Sequence, residues 1–135
     1  MTTSADHNID KVYAAKTRAE LDDAYRDWAD TYDADMMATG YLHIPVIAGL
    51  VCRHIHRHDA AILDAGVGTG TVGGVLSILG YNNLSGLDMS QAMLAKARAR
   101  KIYSELKQGV LGEKLDYADK SFDAVISTGT FTTGH

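Results

Sequence analysis

Apolar side chains recur at helical spacing in two stretches near the start of the chain. Thr17 and Glu20 have the spacing of a helix capping box, and the apolar positions that follow share one helical face: Leu21, Ala24, Tyr25, Trp28, Ala29 and Tyr32. This pattern predicts an amphipathic helix that ends before Gly40. A second helix is predicted to begin near Pro45, because the fixed φ and missing N–H of proline suit a first helical turn. Its predicted buried face consists of Ile47, Leu50, Val51, His54 and Ile55.

From Ala60 onward, short apolar runs alternate with stretches of helical period. The runs predict strands at residues 61–64, 84–88, 110–111 and 122–127, and the stretches between them predict helices that end near Gly80 and Tyr103. Strands that alternate with helices form a parallel sheet with right-handed crossovers. The pattern therefore predicts an α/β fold preceded by an N-terminal helical segment.

The composition narrows the class of protein and of partner. With 135 residues, of which 46% are hydrophobic and 22% charged, the chain is expected to be one soluble globular domain. Its net charge of -4 gives no electrostatic reason to bind nucleic acid or an anionic membrane surface, because such binding needs clustered lysine and arginine. Cys52 is the single cysteine, and residues 1–6 lack the basic and apolar regions of a signal peptide. We therefore expect a cytoplasmic protein.

The strongest chemical signal lies where the first two predicted strands end. The turn Asp64-Ala65-Gly66-Val67-Gly68-Thr69-Gly70 follows the first strand, and Asp88 ends the second. Glycines let the backbone approach a ligand without a Cβ clash, and an acid on the second strand can accept hydrogen bonds from both hydroxyls of a ribose. The two strand ends are therefore predicted to converge on one ligand.

These two segments are similar to the first two motifs of class I S-adenosylmethionine-dependent methyltransferases. Residues 121–127, Ser-Phe-Asp-Ala-Val-Ile-Ser, resemble the fourth-strand segment of many of these enzymes. Residues 25–33 resemble the N-terminal lid helix of small-molecule methyltransferases, including the Williams–Beuren syndrome-associated group, although an ordinary amphipathic helix would carry the same aromatic residues. The resemblance implies a Rossmann-like parallel sheet with helices on both faces. Residues 1–58 would form a helical lid segment, and residues 59–135 part of an S-adenosylmethionine-binding domain.

The resemblance also implies which residues contact the cofactor, S-adenosylmethionine. Asp88 would hold its ribose, Met89 would lie beside its adenine, and Trp28 would join the aromatic residues of the lid that close over it. Relatives often place an acid near the adenine at the end of the third strand, but this chain has Val110-Leu111-Gly112 there, so apolar contact would replace it. The expected cofactor-binding residues are Tyr25, Tyr32, Asp64, Gly66, Gly68, Gly70, Asp88, Met89, Leu111 and Thr128.

Two other interpretations of the glycine-rich turn stay open. Residues 68–73 also satisfy the G-x-G-x-x-G pattern of a dinucleotide site, with an acid about 20 residues further on. Asp64 argues against that site, because its carboxylate would repel a pyrophosphate, whereas S-adenosylmethionine carries an ammonium and a sulfonium group. The third interpretation is a glycine-rich turn with a purely structural role.

The reaction implied by the resemblance is transfer of the sulfonium methyl group to an O, N, S or C nucleophile of a small-molecule acceptor. Direct displacement asks mainly for alignment and exclusion of water, so no catalytic base is nominated. The family fold continues through three more strands, whereas the resemblance covers about residues 17–135. We therefore expect a sheet truncated after its fourth strand, with an uncovered edge that favours self-association. The alternative function is cofactor binding without turnover.

Two further features favour ordinary structural roles. His54 and His58 lie one helical turn apart, as metal ligands on a helix do, but no Glu follows His54 and no third ligand is evident. We expect a solvated helix end there and no metal. Cys52 is expected to be a small core residue rather than a nucleophile, because nothing in the sequence places a base beside it.

Overall fold

The computed structural model describes residues 3–131. Within them, the helices are α1 (Ser4–Ala14), α2 (Arg18–Trp28), α3 (Tyr32–Ala38), α4 (His43–His54), α5 (Thr71–Ile78) and α6 (Gln91–Ala99). The strands are β1 (Ile62–Ala65), β2 (Leu84–Asp88), β3 (Tyr103–Gln108) and β4 (Ala124–Ile126). From β1 onward, strands alternate with helices as far as β3, which confirms the predicted α/β fold.

The four strands form one parallel sheet in the order β3-β2-β1-β4. Strand β1 lies inside the sheet, where Asp64 stands opposite Gly86 of β2 and Ile126 of β4. Asp88 ends β2 and stands opposite Gln108 of β3. Because the strands are parallel, their carboxyl ends lie on the same side of the sheet. The two acids therefore lie close to the carboxyl ends of neighbouring strands.

Two apolar clusters hold the helices on the sheet. The larger one joins β1, β2 and β4 to α4 and α5, and its buried members are Ala48, Val51, Ile62, Val72, Leu76, Tyr81, Leu84 and Ile126. The smaller one consists of Val67, Leu94 and Ala97, and Tyr103 packs against both clusters. Each fully buried large aliphatic side chain contributes about 1.5–3 kcal/mol, so these contacts hold the ends of β1 and β2 in place.

Strand β4 is shorter than predicted and forms one edge of the described sheet. Ala124 and Ile126 pack against the larger cluster, so Val125 between them points to the other side and is 63% exposed. Beyond the strand, Ser127 Oγ donates to the carbonyl of Ala65 at 2.7 Å. This bond extends the attachment of β4 to β1 toward the edge where the acids lie.

The N-terminal segment is divided into helices differently from the prediction. The capping box of Thr17 begins α2 as predicted, but a single helix running on toward Gly40 is wrong, because the helix ends at Trp28 and α3 starts at Tyr32. Two donors, Trp28 Nε1 and Thr31 Oγ1, reach Asp35 Oδ2 at 2.8 and 3.0 Å and hold the turn. Helix α1, which was not predicted, begins with a second capping box.

Helix α4 has Pro45 in its first turn, as predicted, but part of its predicted buried face is wrong. Ala48 and Val51 are buried, whereas Leu50 is 47% exposed and His54 is exposed. Ala48 and Val51 belong to the larger cluster together with Val72 and Leu76 of α5. Over residues 3–131 no single helix is long and apolar enough to span a membrane, and only α3 and α4 pass that test as a pair, across a 92° bend.

The third strand comprises Tyr103–Gln108, so the prediction of a strand at residues 110–111 is wrong. Helix α6 ends at Ala99 instead of near Tyr103, and Lys101 then reverses the chain with a φ of 57°. Strand β3 is an edge strand, so its polar side chains reach solvent and leave no apolar run for a pattern to detect.

Candidate functional site

A cavity of about 400 Å³ lies at the carboxyl ends of the strands, where both acids are found. Eight of the ten expected cofactor-binding residues line it: Tyr25, Tyr32, Gly66, Gly68, Asp88, Met89, Leu111 and Thr128. A cavity of about 70 Å³ adjoins it, is lined by Asp64, and shares four residues with it: Tyr32, Gly66, Gly68 and Thr128. Gly70 lines neither cavity. The fold thus brings nine of the ten residues to two adjoining cavities.

The glycine-rich turn wraps closely around the end of β1. Gly66 has a φ of 80°, and a Cβ there would lie 2.2 Å from Thr130 Oγ1, so only glycine fits. The backbone N–H groups of Gly66 and Val67 both donate to the carbonyl of Leu87, at 2.8 and 2.9 Å. These bonds tie the turn to β2 and leave bare backbone as one wall of the cavity.

Gly70 contributes to helix packing. It is the N-cap of α5, and a Cβ there would lie 2.9 Å from Tyr103 Cε2 and 3.2 Å from Ala97. Gly73, the last glycine of the G-x-G-x-x-G pattern, is closer still, since its Cβ would lie 2.1 Å from the hydroxyl oxygen of Tyr103. The close packing of α6 and β3 against α5 therefore explains why positions 70 and 73 of the pattern are glycine.

Asp88 joins β2 to the glycine-rich turn. Its Oδ2 accepts from the Gly68 N–H at 2.8 Å, and its Oδ1 accepts from the Ser90 N–H at 2.9 Å. Burial raises the pKa of Asp88, and the backbone donors Ser90, Gly68 and Met89 oppose this shift. The carboxylate thus faces the cavity with its orientation already set by the backbone.

Asp64 is the more deeply buried acid, only 4% exposed. Burial raises the pKa of Asp64 to about 7, and the negative charge of Asp88 adds to the shift. A hydrogen bond from the Tyr103 hydroxyl, 3.2 Å from Asp64 Oδ2, lowers the pKa and partly offsets the effect of burial. Asp64 therefore changes its charge in the neutral pH range.

Tyr25 and Tyr32 bring aromatic side chains from α2 and α3 into the cavity wall. Burial raises the pKa of Tyr25 to about 12 and that of Tyr32 further, so both hydroxyls are neutral. Trp28 lines neither cavity. It is buried, with its ring 4.7 Å from that of Tyr32 and its Nε1 bound to Asp35.

Apolar side chains form the part of the cavity beyond Asp88. After β3, the Gly109 N–H donates to the carbonyl of Asp88 at 3.0 Å, which turns the following residues over the cavity. The apolar lining there is Leu87, Met89, Met93, Val110 and Leu111. Leu111 therefore reaches the cavity from a loop and not from the end of the third strand.

Several lining residues were not anticipated. They come from the start of α2 and from the segment after β4: Ala15, Lys16, Thr17, Arg18, Leu21, Gly129, Thr130 and Phe131. The capping box of Thr17 marked where α2 begins. It carried no information on which wall of a cavity that helix end would form.

Two ion pairs hold the junction of α2 and α3 against α6. Lys96 Nζ lies 2.6 Å from Asp30 Oδ1, and an Arg100 guanidinium nitrogen lies 2.6 Å from Asp33 Oδ2. Arg100 Nε also donates to the carbonyl of Thr69 at 2.7 Å, and Asp33 Oδ1 accepts from the hydroxyls of Thr69 and Thr71. The start of α3, which follows α2 closely, is therefore bonded directly to the glycine-rich turn.

The other end of α2 is held more weakly. Arg18 lies 2.6 Å from Glu113, in the loop after β3, and the two side chains are 59% and 56% exposed. An ion pair this exposed contributes about 0–1 kcal/mol. The α2–α3 segment is thus held firmly at the start of α3, where Asp33 bonds to Arg100, Thr69 and Thr71, and loosely at the start of α2, where Arg18 lies.

The remaining candidates lie outside the cavities. Among residues 3–131, no three His, Cys, Asp or Glu side chains are grouped as metal ligands would be. His58 packs against Tyr81, with ring centroids 5.2 Å apart. Cys52 is exposed, so its expected core position is wrong: the buried face of α4 runs through Ala48 and Val51.

Comparison with known proteins relates this arrangement to a family. The family model described as "Methyltransferase domain" matches residues 62–134, which is more than half of the chain. The chain belongs to this family. The matched range includes β1, the glycine-rich turn and Asp88, the elements that build the cavity wall.

Individual relatives agree with this assignment. Human Methyltransferase-like protein 27 is 34% identical over 113 residues, which cover 82% of this chain and 46% of that protein. A putative methyltransferase from Haloferax volcanii, solved in complex with the Trm112 methyltransferase activator, has a TM-score of 0.61 at 25% identity, covering 76% of this chain and 46% of that one. DesVI from Streptomyces venezuelae has a TM-score of 0.57 at 29% identity, covering 74% and 42%. The chain spans less than half the length of each.

Proposed function

We propose that this chain binds S-adenosylmethionine in the 400 Å³ cavity and takes part in methyl transfer to a small-molecule acceptor. The observation that carries the proposal is the pair of acids at neighbouring strand ends, Asp64 and Asp88, beside a turn of bare glycine backbone. Two carboxylates suit a ligand with an ammonium group, a sulfonium group and a ribose, and they repel a pyrophosphate.

The cofactor would lie along the cavity with its ribose on Asp88 and its adenine among the apolar side chains of Met89 and Leu111. Its ammonium group would face Asp64 past the backbone of Gly66, with Tyr32 and Thr128 near the sulfonium. Gly68 would contribute backbone, and Tyr25 would cover the ribose from α2. In this arrangement residues 1–58 are the lid segment and residues 59–135 belong to the cofactor-binding domain.

The chemistry needs no catalytic base from this chain. The bound cofactor would supply the methyl group: a lone pair of the acceptor atom would form the new bond to carbon as the carbon–sulfur bond breaks, and the bonding electrons would stay on sulfur in the neutral thioether of S-adenosylhomocysteine. An O–H or N–H acceptor then releases its proton to solvent. Tyr25 and Tyr32 keep neutral hydroxyls, so their contribution is to exclude water and align the cofactor.

The volume of the cavity suits the cofactor, and its charge bears on the acceptor. The volume of about 400 Å³ falls in the range of small-ligand sites, roughly 300–1,000 Å³. Two cations line the cavity, Lys16 and Arg18, and Arg18 is paired with Glu113. A nucleic-acid acceptor would instead favour a cluster of unpaired cations.

Calorimetry with S-adenosylhomocysteine, S-adenosylmethionine and NAD tests the binding step. We expect 1:1 binding of the first two and no heat from NAD. Binding of NAD alone would replace the proposal with a dinucleotide site, and no binding of any of the three would contradict it. Incubation with methyl-labelled S-adenosylmethionine and small nucleophiles then tests transfer; cofactor binding without transfer would favour the alternative function of a cofactor-binding chain.

The unequal attachments of α2 predict how the cofactor leaves. Arg18→Gln should raise the dissociation rate of S-adenosylhomocysteine by about two- to fivefold, because the exposed pair with Glu113 contributes at most about 1 kcal/mol. Stopped-flow measurement gives the rate, and 0.5 M salt should reproduce the effect in the wild type.

The matched control is Arg26→Gln, which removes an arginine whose partner Asp23 lies on the same helix. It should leave the dissociation rate unchanged. Equal rates for the wild type and Arg18→Gln at low salt would mean that the Arg18 end of α2 does not open for release.

A further inference from the structure

Tyr103 begins β3 on the edge of the sheet, yet its side chain runs back toward β1. Its ring passes beneath the first turn of α5, in the space left by Gly70 and Gly73. Its hydroxyl donates to Asp64 Oδ2 at 3.2 Å, and the Gly73 backbone N–H interacts with the same hydroxyl oxygen. No ligand is needed to explain Gly73, because the Tyr103 hydroxyl already occupies the space beside it.

We propose that Tyr103 is a positioning residue of the cofactor site, whose hydroxyl holds the Asp64 carboxylate in the orientation that receives the cofactor's ammonium group. This inference rests on the proposed function. Asp64 is buried between β2 and β4, and Tyr103 is the side-chain donor that the structure records for it. Among residues 3–131, no other side chain donates a hydrogen bond to this carboxylate, which also lines the small cavity.

The hydroxyl also affects whether Asp64 is charged. Burial raises the pKa of Asp64 to about 7, the charge of Asp88 raises it further, and the Tyr103 hydrogen bond lowers it. The other titratable groups around Asp64 come from α3, from the segment after it, and from the residue that follows α6: Tyr32, Asp33, Tyr41 and Arg100. Burial raises the pKa of both Tyr32 and Tyr41, and Asp33 is paired with Arg100.

The expected pH dependence follows from these charges. The ionised form of Asp64 attracts an ammonium group and the protonated form does not, so the affinity should rise with pH through about 7. Removing the Tyr103 hydroxyl removes a contribution that favours the ionised form. The midpoint of the rise in affinity should then move to higher pH by about one unit. One pH unit corresponds to about 1.4 kcal/mol, and a hydrogen bond to a carboxylate contributes at least about that much.

Calorimetry with S-adenosylhomocysteine between about pH 5.5 and 9.5 tests this on the wild type and Tyr103→Phe, because the range extends beyond both expected midpoints. We expect the midpoint of Tyr103→Phe to rise, with an affinity about tenfold lower below it. The ligand's own amino group titrates equally in both experiments, so the difference between the two profiles belongs to the protein. Tyr81→Phe is the matched control, because Tyr81 also buries its ring and donates its hydroxyl, to the carbonyl of Ile55 at 2.6 Å. It should leave the profile unchanged.

Asp64→Asn separates the possible results. It should remove the contribution of Asp64 to the pH profile, and adding Tyr103→Phe to it should change the affinity no further. A wild type that binds S-adenosylhomocysteine with the same midpoint as Tyr103→Phe would overturn the role of Tyr103 and leave the proposed function intact. A wild type that binds neither S-adenosylhomocysteine nor S-adenosylmethionine would instead contradict the proposed function itself.

Discussion

Asp88→Ala is expected to weaken the binding of S-adenosylhomocysteine by about 10- to 150-fold, or about 1.5–3 kcal/mol. The carboxylate faces the cavity and is the group proposed to accept from the ribose hydroxyls. It also holds the turn, because it accepts from the N–H groups of Gly68 and Ser90. Calorimetry at one pH of about 8.5 keeps Asp64 ionised in both proteins, so its titration does not enter the comparison.

Two further variants separate loss of the ribose contact from loss of the turn. Asp88→Asn keeps an acceptor for Gly68 and should lose less affinity than Asp88→Ala. Asp27→Ala, which removes an exposed acid from α2 outside the cavity, controls for net charge and should bind as the wild type does. If Asp88→Ala binds S-adenosylhomocysteine as tightly as Asp27→Ala does, the assignment of the ribose to Asp88 is wrong.

Gly73→Ala should lower the free energy of unfolding by about 1–3 kcal/mol, the usual cost of overpacking. The added Cβ would lie 2.1 Å from the Tyr103 hydroxyl oxygen and 2.5 Å from Cζ, in the middle of the packing between α5 and β3. Gly49 gives the matched control, because it also lies within a helix but has open space around its Cβ position. Gly49→Ala should raise the free energy of unfolding by about 0.5–1 kcal/mol. Urea unfolding measures both changes.

A double-mutant cycle tests the cause. Tyr103→Phe should not relieve the strain, since the ring carbons Cζ and Cε1 would lie 2.5 and 3.0 Å from the new Cβ. Tyr103→Ala removes the ring, so Gly73→Ala should cost little in that background, and the two changes should be strongly non-additive. Additive effects of Gly73→Ala and Tyr103→Ala would show that the strain at Gly73 has another origin.

Most of the fold could be predicted because its signals are local. The apolar run that becomes β1, the glycines after it and Asp88 at the end of β2 lie within 27 positions of each other, counted from Ile62 to Asp88. The parallel order of strands then brings Asp64 and Asp88 to one edge whatever the surrounding sequence. The capping box of Thr17 is equally local, since its two bonds join residues three apart. Strand β3 was not predicted at its actual position, because an edge strand needs no apolar run.

What only the tertiary structure decided are contacts between residues far apart in the chain. The sequence by itself determined the α/β class, the glycine-rich turn and the two acids, because hydrophobic period and backbone conformation depend on near neighbours. It could not show that Trp28 turns away from the cavity, that Arg100 holds Asp33 from 67 positions further on, or that Tyr103 reaches Asp64 across 39. Each of these depends on which helix face meets the sheet. That choice is made by the summed burial of many side chains, which no single motif encodes.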